Sequence, residues 1–317
     1  MKVFIRQLVL FLIIISAIIT ASLFFIPNKR LRNSSLYADI DKNKRLDSLQ
    51  SPKIVFVGGS NIAFGLNSKQ IEDSLHLPVV NMGLHAGLGM YFMLNEVRDH
   101  VQKGDIVVLS PEYHQFMGDL FYGEKVLVAL LFDINNKNLK NVTIKQYIHL
   151  FPSIVEYSTS KLFFMNLDVT DDGDGYGKVF KRNSFNKYGD ESMHWQFPLQ
   201  KIPSTSAPIG HIQVNSEILK FIQDFKRDMN KKGVALYIIP PAFQESSFIN
   251  LNNAIKDIEG GLKDHSTPFD IRPEEFSYQN RFIFNTVYHL NKPGVDHRTL
   301  LIIKFLKSKA VKKGGSN

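Results

Sequence analysis

Lys53-Ile54-Val55-Phe56-Val57-Gly58-Gly59-Ser60-Asn61 is an apolar, β-branched run that ends on two glycines and a serine. It predicts a strand covered on both faces, because a strand with one wet face alternates apolar and polar residues. The glycines let the chain turn sharply and leave room beside Ser60, so a hydroxyl and its backbone N–H stand at a strand end. Strand-Gly-Gly-Ser turns also occur in proteins that use them for no chemistry. Working outward, Val79-Val80-Asn81-Met82-Gly83-Leu84-His85-Ala86-Gly87 and Asp105-Ile106-Val107-Val108-Leu109-Ser110-Pro111-Glu112-Tyr113 repeat the form, an apolar run closed by small or polar residues. Between the strands, Asn67-Ser68-Lys69-Gln70 predicts the cap of a helix reaching about Leu75, and Met90 to Gln102 predicts a second helix ending before Gly104. After Asn215-Ser216, Ile218, Ile222, Phe225 and Met229 share one helical face; Gly233 closes that helix and Val234 to Ile239 follow as a strand. The alternation predicts a parallel, doubly wound α/β sheet with its strand C-terminal ends gathered on one edge.

Near the other end of the chain, Phe284-Asn285-Thr286-Val287-Tyr288-His289-Leu290-Asn291-Lys292-Pro293-Gly294 places a histidine in a loop before a final helix, with Arg298, Thr299 and the apolar stretch Leu300 to Leu306 beyond it. Ser60, Gly83, Glu112 and His289 can then converge on the sheet edge.

This ordered set resembles the SGNH (GDSL-like) hydrolase superfamily, over about residues 53 to 310. The wording of Asp105 to Tyr113 and of Tyr288-His289-Leu290-Asn291 with Gly294 is most similar to its membrane-anchored bacterial branch, related to proteins that acylate alginate and teichoic acid. The resemblance implies a flavodoxin-like, three-layer parallel sheet, with Ser60 as nucleophile, Gly83 as an oxyanion glycine and His289 as base. The chain departs from the family at three places. Gly59 stands where Asp usually precedes the serine, Ser110-Pro111-Glu112 replaces the block carrying a helper asparagine, and Thr286 stands where Asp is usual before the histidine.

In that scheme Ser60 attacks an ester carbonyl while His289 takes its proton and returns it to the leaving alcohol. Backbone N–H groups of Ser60 and Gly83 are the candidate oxyanion donors, and Asn81 either supports the turn or adds a third. Asn285 can hold the imidazole through its amide oxygen in place of the missing acid, with Thr286 beside it. Glu112, His85 and His114 are candidates to meet substrate, Glu112 also to orient His289; solvated strand-end residues explain them equally well. Two functions follow. One is a membrane-anchored serine esterase or O-acyltransferase on a cell-envelope polysaccharide; the alternative is a catalytically inactive relative that binds glycan or scaffolds an export complex.

Location rests on Leu8 to Ile26, an uncharged run about long enough to cross a bilayer core of ~30 Å as a helix. Residues 1–30 are read as a retained anchor rather than a signal peptide cleaved near Ala21, because apolar residues continue past that point. The resemblance puts the catalytic domain outside the cytoplasm. Residues 31–52 read as a stalk or short surface helix, 53–310 as the α/β domain with an inserted helical and loop region at about 118–211, and 311–317 as a basic flexible tail. Within the insertion, Asp171-Asp172-Gly173-Asp174-Gly175 fails calcium-loop spacing and reads as an acidic turn, while Asn186 to Trp195 could line a sugar cleft or form a structural loop.

The 317 residues, 44% of them hydrophobic, suffice for a large core. The absence of cysteine excludes disulfides, thiolate catalysis and Cys-ligated zinc. No metal or nucleotide motif is present, so no metal or cofactor is expected. A net charge of +8 suits anionic lipid or glycan as well as a merely soluble surface, and no basic stripe with interleaved aromatics points to nucleic acid. The expected partners are an envelope glycan or acylated saccharide, membrane lipid around the N-terminal helix, and a membrane acyl-donor protein.

Overall fold

In the computed structural model, residues 1–28, 31, 33–163, 179–197 and 203–314 are described, the last five by backbone alone. The acidic turn at 171–175 lies outside them. Four strands, β1 (Ile54–Gly58), β2 (Val79–Asn81), β3 (Ile106–Ser110) and β4 (Ala235–Ile238), form one parallel sheet in the order β2-β1-β3-β4. Two-residue strands β5 (Phe243–Gln244) and β6 (Ser277–Tyr278) pair in parallel as a separate two-stranded sheet.

The β1 run works as its composition predicts. Ile54 and Phe56 point into one apolar cluster with Ile71, Ile302 and Leu306, whereas Val55 and Val57 point into the other with Phe92, Val97, Ile222 and Phe225. Helices α4 (Ser68–Leu75) and α11 (Lys292–Gly314) therefore cover one face, and α5 (Met90–Arg98) and α8 (Ser216–Lys231) the other. The expected Asn67 cap is present, its side-chain oxygen accepting the Gln70 N–H at 3.2 Å. Helix α5 stops at Arg98, short of the predicted end, and α11 carries regular helix through residues 311–314, where the sequence reads as a tail.

Helix α1 (Lys2–Phe25) is 24 residues long, apolar and exposed along most of its length, as a membrane-spanning helix is. Helix α2 (Ala38–Ser48) occupies the region read as a stalk, but it is docked. Ala38 and Leu46 enter the main core, and Lys42 is buried, donating to the carbonyls of Asn81 at 2.8 Å and of Gly189. The insertion supplies α6 (Lys125–Ala129), which continues as a π-helical turn to Ile134, and α7 (Ile144–Leu162). Helices α9 (Glu245–Asn250) and α10 (Asn252–Asp264) follow β5, and the four-residue α3 (Ser60–Ala63) follows β1.

Candidate functional site

The site is built where β1, β3 and the loop before α11 end. Ser60 is the first residue of α3, directly after Gly59. Gly59 has φ −81°, a conformation open to any residue, so its role is spatial: a Cβ there would lie 2.6 Å from Glu112 Oε1 and 3.1 Å from the Ala86 nitrogen. Glu112 stands two residues past β3, with its Oε1 accepting the Asn61 N–H at 3.2 Å and the Ser60 hydroxyl at 3.3 Å. The latter is long for a bond between oxygens, and so easily exchanged for another partner. Burial raises the Glu112 pKa, opposed by Asn61, by the Ser60 hydroxyl and by the nearby Arg298.

Arg298, from α11, lies fully buried beneath this turn. Its guanidinium donates to Asn61 O at 2.7 Å, to Asn61 Oδ1 at 3.2 Å and to Ser110 Oγ at 3.0 Å, tying α3, β3 and α11 together under Ser60. Burial pushes its pKa down to about 10, so it remains charged at neutral pH.

His289 is held by a tight loop closed by a bridge between Ile283 and Leu290, with Phe284 N donating to His289 O at 2.8 Å. Its ring stacks on Phe64 at 4.1 Å and 4°. His289 Nδ1 meets Asn285 Oδ1 at 2.8 Å; an amide oxygen only accepts, so Nδ1 carries the proton and Nε2 keeps the lone pair. The Thr286 hydroxyl accepts the Tyr288 N–H at 3.3 Å, and its carbonyl accepts the His289 N–H at 3.3 Å. Burial, reinforced by His194 and His85, pushes the His289 pKa down to about 3, so the imidazole is neutral at physiological pH.

Ser60, Glu112, His85, Asn285, Thr286 and His289 all border one cavity of about 240 Å³, together with aromatic side chains of Phe64, Phe180, Phe185 and Tyr288. His85 keeps its proton on Nε2, because Nδ1 accepts the Gly87 N–H at 2.9 Å. His114 lies behind the wall and reaches the cavity through Tyr288, whose hydroxyl is 2.8 Å from His114 Nδ1.

Gly83 and Asn81 are not brought to the cavity. The Gly83 N–H is already donated to Asn81 Oδ1 at 2.9 Å, and a Cβ on Gly83 would strike Ile62, so this glycine serves close packing against α3. Asn81 in turn gives its amide protons to Ile62 O and Asp190 Oδ1, both at 2.9 Å. The amide bordering the nucleophile turn is that of Ala86, which also lines the cavity.

The stretch Asn186 to Trp195 contributes no cavity residue. Asp190 instead accepts from Ser68 N at 2.9 Å and from Asn81 and Asn186 side chains, and His194 is buried between Glu191 and Leu290 O. These bonds tie the stretch to α4 and to the loop before α11. Phe180, Phe185 and Ser35 were missed from sequence because they lie in irregular segments without periodicity; Phe64, four residues after Ser60 at the end of the same helix, did carry a signal.

No group of three or more His, Cys, Asp or Glu side chains that could hold a metal ion occurs among the described residues. Neither the protein-family models nor the curated proteins give a match to this chain.

Proposed function

We propose that the chain is a membrane-anchored serine esterase or O-acyltransferase of SGNH type, acting through Ser60 and His289 on acetyl esters of an envelope polysaccharide outside the cytoplasm. The observation that carries this reading is the shared cavity: Ser60 and His289 border it together, and Asn285 holds the imidazole with Nε2 free to accept a proton. The strand order β2-β1-β3-β4 supports the flavodoxin-like arrangement the sequence resemblance implies. In the reaction Ser60 Oγ leaves Glu112, passes its proton to His289 Nε2 and bonds the acyl carbon; the proton then goes to the leaving alcohol. The Ser60 and Ala86 N–H groups are the proposed oxyanion donors, in place of Gly83. Water or a sugar hydroxyl then takes the acyl group, which decides between hydrolysis and transfer.

A second reading, a non-catalytic glycan binder or scaffold, is favoured by two features. The imidazole is held by a neutral amide, and its pKa near 3 makes it a weak base. A fluorophosphonate probe separates the two. Labelling of the wild type that Ser60→Ala abolishes supports the enzyme; equal inertness of both, with retained binding to an envelope glycan, supports the binder.

A further inference from the structure

Outside α1, six large apolar side chains are exposed among the described residues: Ile144, Ile148, Phe151, Phe163, Ile249 and Leu300. Four of the six sit on α7 or on Phe163, the residue that ends it. Ile148 is 68% exposed and Phe151 61%, although the other side of the same helix buries Leu150, Tyr157 and Lys161 in the domain. Ile144, Ile148 and Phe151 fall within about 60° of one another round α7, and such a concentration on one helix face marks an interaction surface.

The position of that face identifies its occupant. Ile144, Phe151 and Ser158 are spaced by seven residues, two helical turns each, and so fall close to one line along α7. At the upper end of that line Ser158 Oγ meets Ser22 Oγ of α1 at 2.6 Å, and Lys161 Nζ donates to Leu23 O at 2.8 Å. The charge of Lys161 is met by Asp133 at 3.0 Å, and Phe24 packs edge-on against Phe132, so the end of α1 is fixed to the domain through α7 and its neighbours. Leu23 lies only about 5 Å along the helix from the end of the apolar run at Ile26. The contact between α1 and α7 therefore falls at the boundary between acyl chains and headgroups of any bilayer that α1 spans. The exposed line on α7 begins at that contact, flanked by the polar side chains of Lys145, His149 and Glu156.

We infer that α7 lies in the surface of the bilayer beside α1, with Ile144, Ile148 and Phe151 in the outer acyl region, so that the domain is held against the membrane by two elements. The inference rests on α1 being a membrane anchor. Ser35, which borders the cavity, follows Phe25, the last residue of α1, by ten positions, so the cavity edge lies within about 35 Å of the end of α1.

The cysteine-free chain makes the test direct. Full-length protein carrying a single bimane-labelled cysteine, as Ile13→Cys in α1, Ile148→Cys, Phe151→Cys or Glu156→Cys, is reconstituted into phosphatidylcholine and phosphatidylglycerol vesicles, with and without doxyl-labelled lipid. Positions 13, 148 and 151 should each be quenched by about threefold, and position 156 much less, because it lies roughly 80° to 140° round α7 from Ile148 and Phe151. Quenching at 13 without quenching at 148 and 151 overturns the placement of α7 while leaving the anchor intact. Loss of quenching at 13 as well overturns the anchor. Shielding of 148 and 151 from iodide without quenching by doxyl lipid means that protein covers the stripe, which also overturns the inference.

Discussion

Glu112 Oε1 occupies the space that a side chain on residue 59 would need, 2.6 Å from the position of a Cβ on Gly59. The carboxylate beside Ser60 is thus delivered from the end of β3, and the glycine at position 59 is tied to the presence of Glu112.

Gly59→Asp should therefore destabilise the protein by about 1–3 kcal/mol through overpacking, with added repulsion between two buried carboxylates. In a Glu112→Gly background the same substitution should cost much less. Urea unfolding of the four proteins in this double-mutant cycle measures the coupling, and additive effects would refute the shared-space argument.

Asn285, rather than Thr286, is the residue whose side chain is hydrogen-bonded to the imidazole. If the proposed esterase reading holds, Asn285→Asp should raise turnover of an aryl acetate, since a carboxylate there stabilises the imidazolium; the gain should be well below the ~10⁴ that amide replacement costs a serine triad through the wrong tautomer, because Asn285 already holds the right one. Thr286→Asp should change turnover little. Burst kinetics on both variants test which position supports the proposed Ser60 and His289 pair; a larger gain at 286 reverses the assignment.

The pKa of His289, about 3, has a defined consequence for stability. Unfolding returns the group to its ordinary value near 6.5, so between pH 6.5 and 3 the unfolded chain binds the extra proton. Unfolding free energy from this group therefore falls as pH is lowered through that window, with a slope on the order of 1.4 kcal/mol per pH unit. Above pH 6.5 the contribution is constant. His289→Gln should flatten the window in urea titrations taken at successive pH values. By the same sign, the acid limb of the proposed esterase activity should lack a titration near pH 6.5.

Truncation should be sensitive to where it cuts. A chain beginning at residue 19 keeps Ser22 and Leu23 on α7, whereas one beginning at 31 leaves Ser158 and Lys161 without those partners. The shorter protein should be less stable by about 1–3 kcal/mol, from the desolvated groups left unpaired. Thermal unfolding of the two proteins, each in mild detergent, compares them.

Local pattern was enough for much of this molecule. The apolar run of β1, the Asn67 cap and the face carrying Ile218, Ile222, Phe225 and Met229 depend on neighbours within a few positions, so a sequence determines them directly. It also pointed to Ser60, to His289 and to Asn285, whose contact with His289 spans four residues. Tertiary structure decided what distance in sequence conceals. Whether the Gly83 amide is free depends on how the chain turns around Asn81, and whether residues 38–48 are a stalk depends on Lys42 finding carbonyls at Asn81 and Gly189. Glu112 meets Ser60 across 52 residues and Arg298 meets Asn61 across 237. Such pairings arise only when strands from separate parts of the chain end on one edge, because hydrogen bonds are set by positions in space and periodicity carries only the local part of that information.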